Sequence, residues 1–64
     1  MNLSEFVKDK RKFLDITQTE LSEKAGVGLR FIRELEQGKT TLRMDKVNQV
    51  LNLFNAALVA QIQE

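Results

Sequence analysis

Three glycines, Gly26, Gly28 and Gly38, punctuate a chain that has no proline, and they limit its fold more than any other feature. The stretches they bound are too short to persist as isolated helices, since helices under roughly 12–15 residues are marginal in water. Each stretch must lie on its neighbours. With 64 residues the chain makes one domain at most, and a core of that size is marginal without staples. The usual staples are missing. The absence of Cys removes disulfides, thiolate metal sites and nucleophilic thiols, and the absence of His removes the commonest zinc ligand and general base. No metal or other cofactor is expected, and an enzyme is the least expected class. Charged residues at 30% and apolar residues at 42% fit a globular helical chain better than a disordered one. No apolar run approaches a membrane span, and MNLSEFVKDK lacks the apolar centre of a signal peptide. The expectation is a cytoplasmic soluble module that gains stability by self-association.

Between the glycines the apolar spacing predicts four helices and an all-α fold. Leu3, Phe6, Val7, Lys10 and Leu14 recur at intervals of three and four, one helical stripe, with Asn2 or Ser4 placed to cap it and Asp15 suited to close it. Thr17-Gln18-Thr19-Glu20 is a capping box with Ile16 ahead of it, so a second helix spans 17–25 and ends at Gly26. A third runs from about Gly28 to Gln37 and stops at Gly38. Its inward residues are Val27, Ile32 and Leu35, its outward ones Leu29, Arg30, Arg33, Glu34 and Gln37, and Phe31 lies at the boundary. A fourth reaches from near Arg43 to Phe54 on Val47, Val50, Leu51 and Phe54, with Asn55 in its closing turn. Beyond it the pattern is ambiguous. Leu58, Ala60 and Ile62 alternate as in a strand, while Leu58 and Ile62 also continue the helical stripe. The chain divides into a domain at 1–54 and a dimerisation segment at 55–64.

Two short helices joined by a tight glycine turn make a helix-turn-helix, a unit that places its second helix in the major groove of double-stranded DNA. The net charge of +1 does not by itself indicate nucleic acid, but residues 1–43 hold nine of the ten basic side chains. Arg30 and Arg33 are long enough to fork onto guanine or clamp a phosphate, and Lys39 and Arg43 follow in a loop suited to phosphate. Asp9, Glu20, Glu23 and Glu34 read more simply as solvated helix faces.

The string TQTELSEKAGVGLRFIRELEQGK resembles the helix-turn-helix of the phage repressor and Cro family, also called the XRE family. Its matching residues are Thr17-Gln18, Glu20-Leu21, Lys24-Ala25-Gly26-Val27, Ile32, Leu35-Glu36 and Gly38-Lys39. The resemblance implies a compact four-helix repressor-like bundle whose second and third helices meet DNA. It places Gln18 where the family caps a helix and touches a phosphate. It puts Gly28, Leu29, Arg30, Arg33 and Glu34 toward the groove, and Lys39 and Arg43 on the backbone. It matches Arg11 and Glu36 to a salt bridge inside the fold.

Gly28 and Leu29 depart from the polar residues common at those positions, so Leu29 is better suited to a thymine methyl. The chain also has LVAQIQ where phage repressors continue into a fifth helix. This shortened form, RFIRELEQGK followed by RMDKVNQVLNLF, is similar to the HipB-type antitoxins. Those are dimers that pair C-terminal strands, repress their own operon and bind a HipA-type kinase toxin. The resemblance therefore implies a homodimer through Leu58, Ala60 and Ile62, an operator DNA partner at the nucleoid, and a kinase toxin partner. An excision or copy-control factor without a toxin, and a helical protein-binding module, are the alternatives.

Overall fold

The computed structural model describes residues 2–58, which form four helices and no strand among them. They are α1 (Leu3–Phe13), α2 (Gln18–Ala25), α3 (Leu29–Glu36) and α4 (Met44–Asn52). The fold is all-α, and each helix lies within a residue or two of where the apolar spacing puts it. None of them is long and apolar enough to cross a membrane.

The starts of α1 and α2 are built by side chains. Asn2 Oδ1 accepts from the Glu5 backbone N–H at 2.9 Å, so Asn2 rather than Ser4 caps α1. At α2 the capping box is complete. Thr17 Oγ1 accepts from the Glu20 backbone N–H at 3.1 Å, and Glu20 Oε1 accepts from the Thr17 N–H at 2.9 Å. The bond from the Thr17 backbone N–H is the main reason that the Glu20 carboxyl lies below the usual carboxylate range, and the Thr17 side chain adds to it. Gly28 and Arg43 precede α3 and α4 without side-chain caps.

The stops follow one rule. Each helix is closed by a residue in the left-handed region, namely Asp15 (φ 56°), Gly26 (φ 74°), Gly38 (φ 86°) and Asn55 (φ 57°). In every case the next N–H reaches back five residues: Ile16 to Arg11, Val27 to Ser22, Lys39 to Glu34 and Ala56 to Leu51, at 2.9–3.3 Å. This back-bond satisfies a carbonyl that the helix end would otherwise orphan. At Gly26 an added Cβ would meet nothing nearer than Gln49 Nε2 at 3.6 Å, so the positive φ and not crowding calls for glycine there.

Helix α3 packs against both α1 and α2, and α2 also packs against α4. The core where they meet is Val7, Leu21, Ile32, Leu35, Val47, Val50 and Leu51, with Leu3, Phe6, Ile16, Ala25, Val27, Phe31, Leu42, Phe54 and Ala56 packed around it. Phe6 and Phe54 meet edge to face, their ring centres 6.5 Å apart.

Two members of the expected α1 stripe depart from the core. Leu14 stands past the last helical residue, where Asp15 turns the chain, and it remains 48% exposed. Lys10 stays in solvent and lays its ammonium 5.6 Å from the centre of the Phe6 ring, a cation–π contact. The helical continuation of α4 through Leu58 does not form, because Asn55 turns the chain out of the helix. Leu58 lies in irregular backbone, its N–H donating to Asn48 Oδ1 at 2.9 Å. Ala60 and Ile62, the other two residues of the expected strand face, lie outside the described residues.

Candidate nucleic-acid interface

Position within α3 separates two sets of residues. Ile32, Leu35 and Glu36 are buried, while Arg30 and Arg33 are exposed and Glu34 lies between. Arg30, Arg33, Glu34 and Gln37 are spaced at three and four, so they share one side of a helix that turns about 100° per residue. Gly28 is the N-cap and Leu29 the first helical residue, half-buried at the rim of the same face. An α-helix with its side chains is about 10–12 Å across, which matches the ≈ 12 Å width of the major groove.

The buried side is fixed by an ion pair. Arg11 Nε and Nη2 donate to the two oxygens of Glu36 at 2.8 and 3.0 Å, and Arg11 Nη1 donates to the Ile16 carbonyl at 3.0 Å. Gln18 Nε2 adds a third donor to Glu36 at 3.2 Å. The Glu36 side chain is only 3% exposed and that of Arg11 15%. The Glu36 hydrogen bonds hold the guanidinium above its ordinary value, against the opposing pull of burial. One network thereby ties α1, the α1–α2 turn, the start of α2 and the end of α3 into a single rigid corner. It also defines the place of Gln18. Thr17 makes the cap, and the Gln18 amide is occupied inside the fold.

Other charges meet on the exposed side. Arg30 Nε donates to Glu34 Oε1 at 3.1 Å, and Lys39 Nζ is hydrogen-bonded to Glu34 Oε2. The Lys39 bond is the main reason that the Glu34 carboxyl sits below the usual range. Arg43 forks onto its neighbour Asp45 at 3.1 and 2.7 Å, and this lowers Asp45 in the same way. Among the described residues Arg33 has no carboxylate within ion-pair distance. The exposed side of α3 and the loop after it thus bring together the expected Gly28, Leu29, Arg30, Arg33, Glu34 and Lys39. Arg43 is the N-cap residue of α4.

Sequence reasoning missed that Glu34 joins Arg30 to Lys39. The four-residue spacing of Arg30 and Glu34 was a visible signal for one half. The other half depends on the left-handed turn at Gly38. The exposed aromatic Phe13, at 85%, also went unremarked, since the apolar stripe does not contain it.

A helix-turn-helix family model matches residues 7–59 of this chain. The chain is also 48% identical over 48 residues to an HTH-type transcriptional regulator, y4mF, of Sinorhizobium fredii. That match covers 75% of this chain and 63% of the relative, so the chain spans less than two thirds of the protein it resembles.

Proposed function

The chain belongs to the helix-turn-helix family, of the XRE type, and from that premise we propose that it is a sequence-specific DNA-binding transcriptional regulator. The observation that carries this reading is the division of α3. One side is locked to the rest of the fold through Ile32, Leu35 and Glu36, and the other presents Arg30 and Arg33 to solvent with the half-buried Leu29 at its rim. A reading helix needs that rigidity, because base contacts require side chains held in a fixed register. In this reading Arg30 and Arg33 approach base edges, with Leu29 beside them for a thymine methyl and Gly28 allowing close backbone approach. Lys39 and Arg43 meet phosphates. Gln18 approaches the backbone only if its amide leaves Glu36.

The test is a titration against DNA from upstream of its own gene and against unrelated DNA, each at two salt concentrations. A preference on the order of a thousandfold or more supports the reading, and equal affinities overturn it.

The finer reading is a repressor of its own operon at the nucleoid, acting as the antitoxin of a HipA-type kinase toxin. It is supported by the resemblance of RFIRELEQGK and RMDKVNQVLNLF to the HipB-type antitoxins. The dimer is assigned to residues 55–64, with Leu58, Ala60 and Ile62 pairing across a two-fold axis, because an operator with two-fold symmetry asks for a two-fold protein. Deleting residues 57–64 should yield a monomer with weaker DNA binding, and an unchanged dimer overturns that assignment. Co-purification of a kinase encoded beside the gene supports the antitoxin role. A complete operon without one favours the excision or copy-control factor.

A further inference from the structure

We propose that Glu34 is a charge clamp on the reading face, holding Arg30 and Lys39 in the free protein and withholding both from indiscriminate phosphate binding. The inference rests on the DNA-binding reading above and goes beyond it by naming a residue that sets specificity without touching a base.

The clamp is built into the backbone. Gly38, at φ 86°, reverses the chain after α3, and the Lys39 N–H returns to the Glu34 carbonyl at 3.1 Å. The helix stop therefore delivers Lys39 to the residue whose carboxylate it meets. Arg30 arrives at the same carboxylate from one turn earlier, so each oxygen has its own cation. The Glu34 side chain is 23% exposed, while those of Arg30 and Lys39 are 91% and 47% exposed. The carboxylate thus sits beneath its two cations.

Non-specific affinity grows with the number of cations that neutralise phosphates. A phosphate that meets either of these finds a charge already balanced by Glu34, so it releases fewer counterions than a free cation would. A guanine edge carries no net charge and is read through hydrogen bonds, so it depends less on that charge. Only Nε of Arg30 bonds to Glu34, and the terminal nitrogens remain for the two acceptors of a guanine edge. The clamp therefore lowers binding to random sequence more than binding to a matched site.

The experiment compares the unmodified chain with E34Q on two duplexes. One is of random sequence, and the other is selected from a random pool by the unmodified chain. E34Q should bind random duplex more tightly, with a steeper salt dependence. Each released cation should raise the ratio of affinities between roughly 50 and 200 mM salt by about three- to fourfold, and preference for the selected duplex should fall. On the random duplex K39A should change the salt slope little in the unmodified chain and reduce it by about one unit in E34Q. Equal slopes for E34Q and the unmodified chain on random DNA, with the selected duplex still preferred, overturn the clamp and leave the DNA reading standing. Loss of affinity confined to one base position also overturns it, because Glu34 would then be a base reader. If the unmodified chain binds no duplex at low salt, the DNA reading fails and the clamp with it.

Discussion

Glu34 and Glu36 lie two residues apart on α3, and each carboxylate is held by side chains from outside its own turn. Glu36 is in the interior, where Arg11 grips it with two parallel bonds and Gln18 adds a third. Glu34 is at the surface, where Arg30 and Lys39 each take one oxygen. The charges are alike, yet the consequences differ because one carboxylate is buried and the other lies at the surface among exposed cations. A buried pair is costly to break, since the survivor keeps its charge without a partner or a solvent. An exposed pair contributes about 0–1 kcal/mol and exchanges partners readily. The first arrangement suits a scaffold, and the second suits a surface that must trade its contacts for those of a ligand.

The contrast can be broken most forcefully at Arg11. R11M strands the Glu36 carboxylate and should cost about 3–5 kcal/mol, a large share of what a domain this small has. Thermal or urea unfolding measures it. A variant with intact stability and weakened DNA binding would make Arg11 a DNA contact and remove the distinction between the two sites.

The next effect is on binding and not on stability. R30A should leave unfolding within about 0.5 kcal/mol of the parent, because its partner stays solvated. It should also cost about 1–3 kcal/mol on a preferred duplex and relax selectivity at one base position. Equal losses on preferred and random DNA would make Arg30 a phosphate contact.

Gln18 sharpens the comparison, since it borders both the interior network and the expected phosphate backbone. Q18A removes a hydrogen bond to a charged group and should destabilise by about 1–2 kcal/mol. Full stability with weaker DNA binding at every sequence would move Gln18 to the exposed class.

The smallest effect is on pH dependence. The folded-state value of Glu34 lies below its unfolded one, chiefly through Lys39. Its contribution is therefore present at neutral pH and is lost as pH falls through that lowered value. Glu20 and Asp45 shift in the same direction, so the measurement is the difference between the acid melting profiles of the parent and E34Q. The parent should lose slightly more on acidification, and the gap should shrink in high salt.

Much of this architecture was legible because it is local. The capping box at Thr17 and Glu20, and closure at Asp15, Gly26, Gly38 and Asn55, depend on residues only a few positions apart. The core stripes were legible for the same reason, except at Lys10, which stays in solvent, and at Leu14, where the helix had already ended. The Arg11–Glu36 pair spans 25 positions, and only the family resemblance brought these residues together. No local rule links Gln18 to Glu36, and none links Lys39 to Glu34 without knowing how Gly38 turns the chain. Strand and helix competed over Leu58 because its spacing fits both, and the turn at Asn55 removed the helical continuation.

The four left-handed stops also bear on time. Each helix boundary is set by bonds that reach back no more than five residues, so it forms without waiting for distant parts of the chain. The sequence has no proline, and so no slow prolyl isomerisation. Small helical domains of such local wiring fold in about microseconds to milliseconds. Synthesis of a stretch of 64 residues, at about 5–20 residues per second, takes several seconds. The interval between translating this stretch and presenting a formed α3 is therefore governed by the ribosome, and folding adds almost nothing to it.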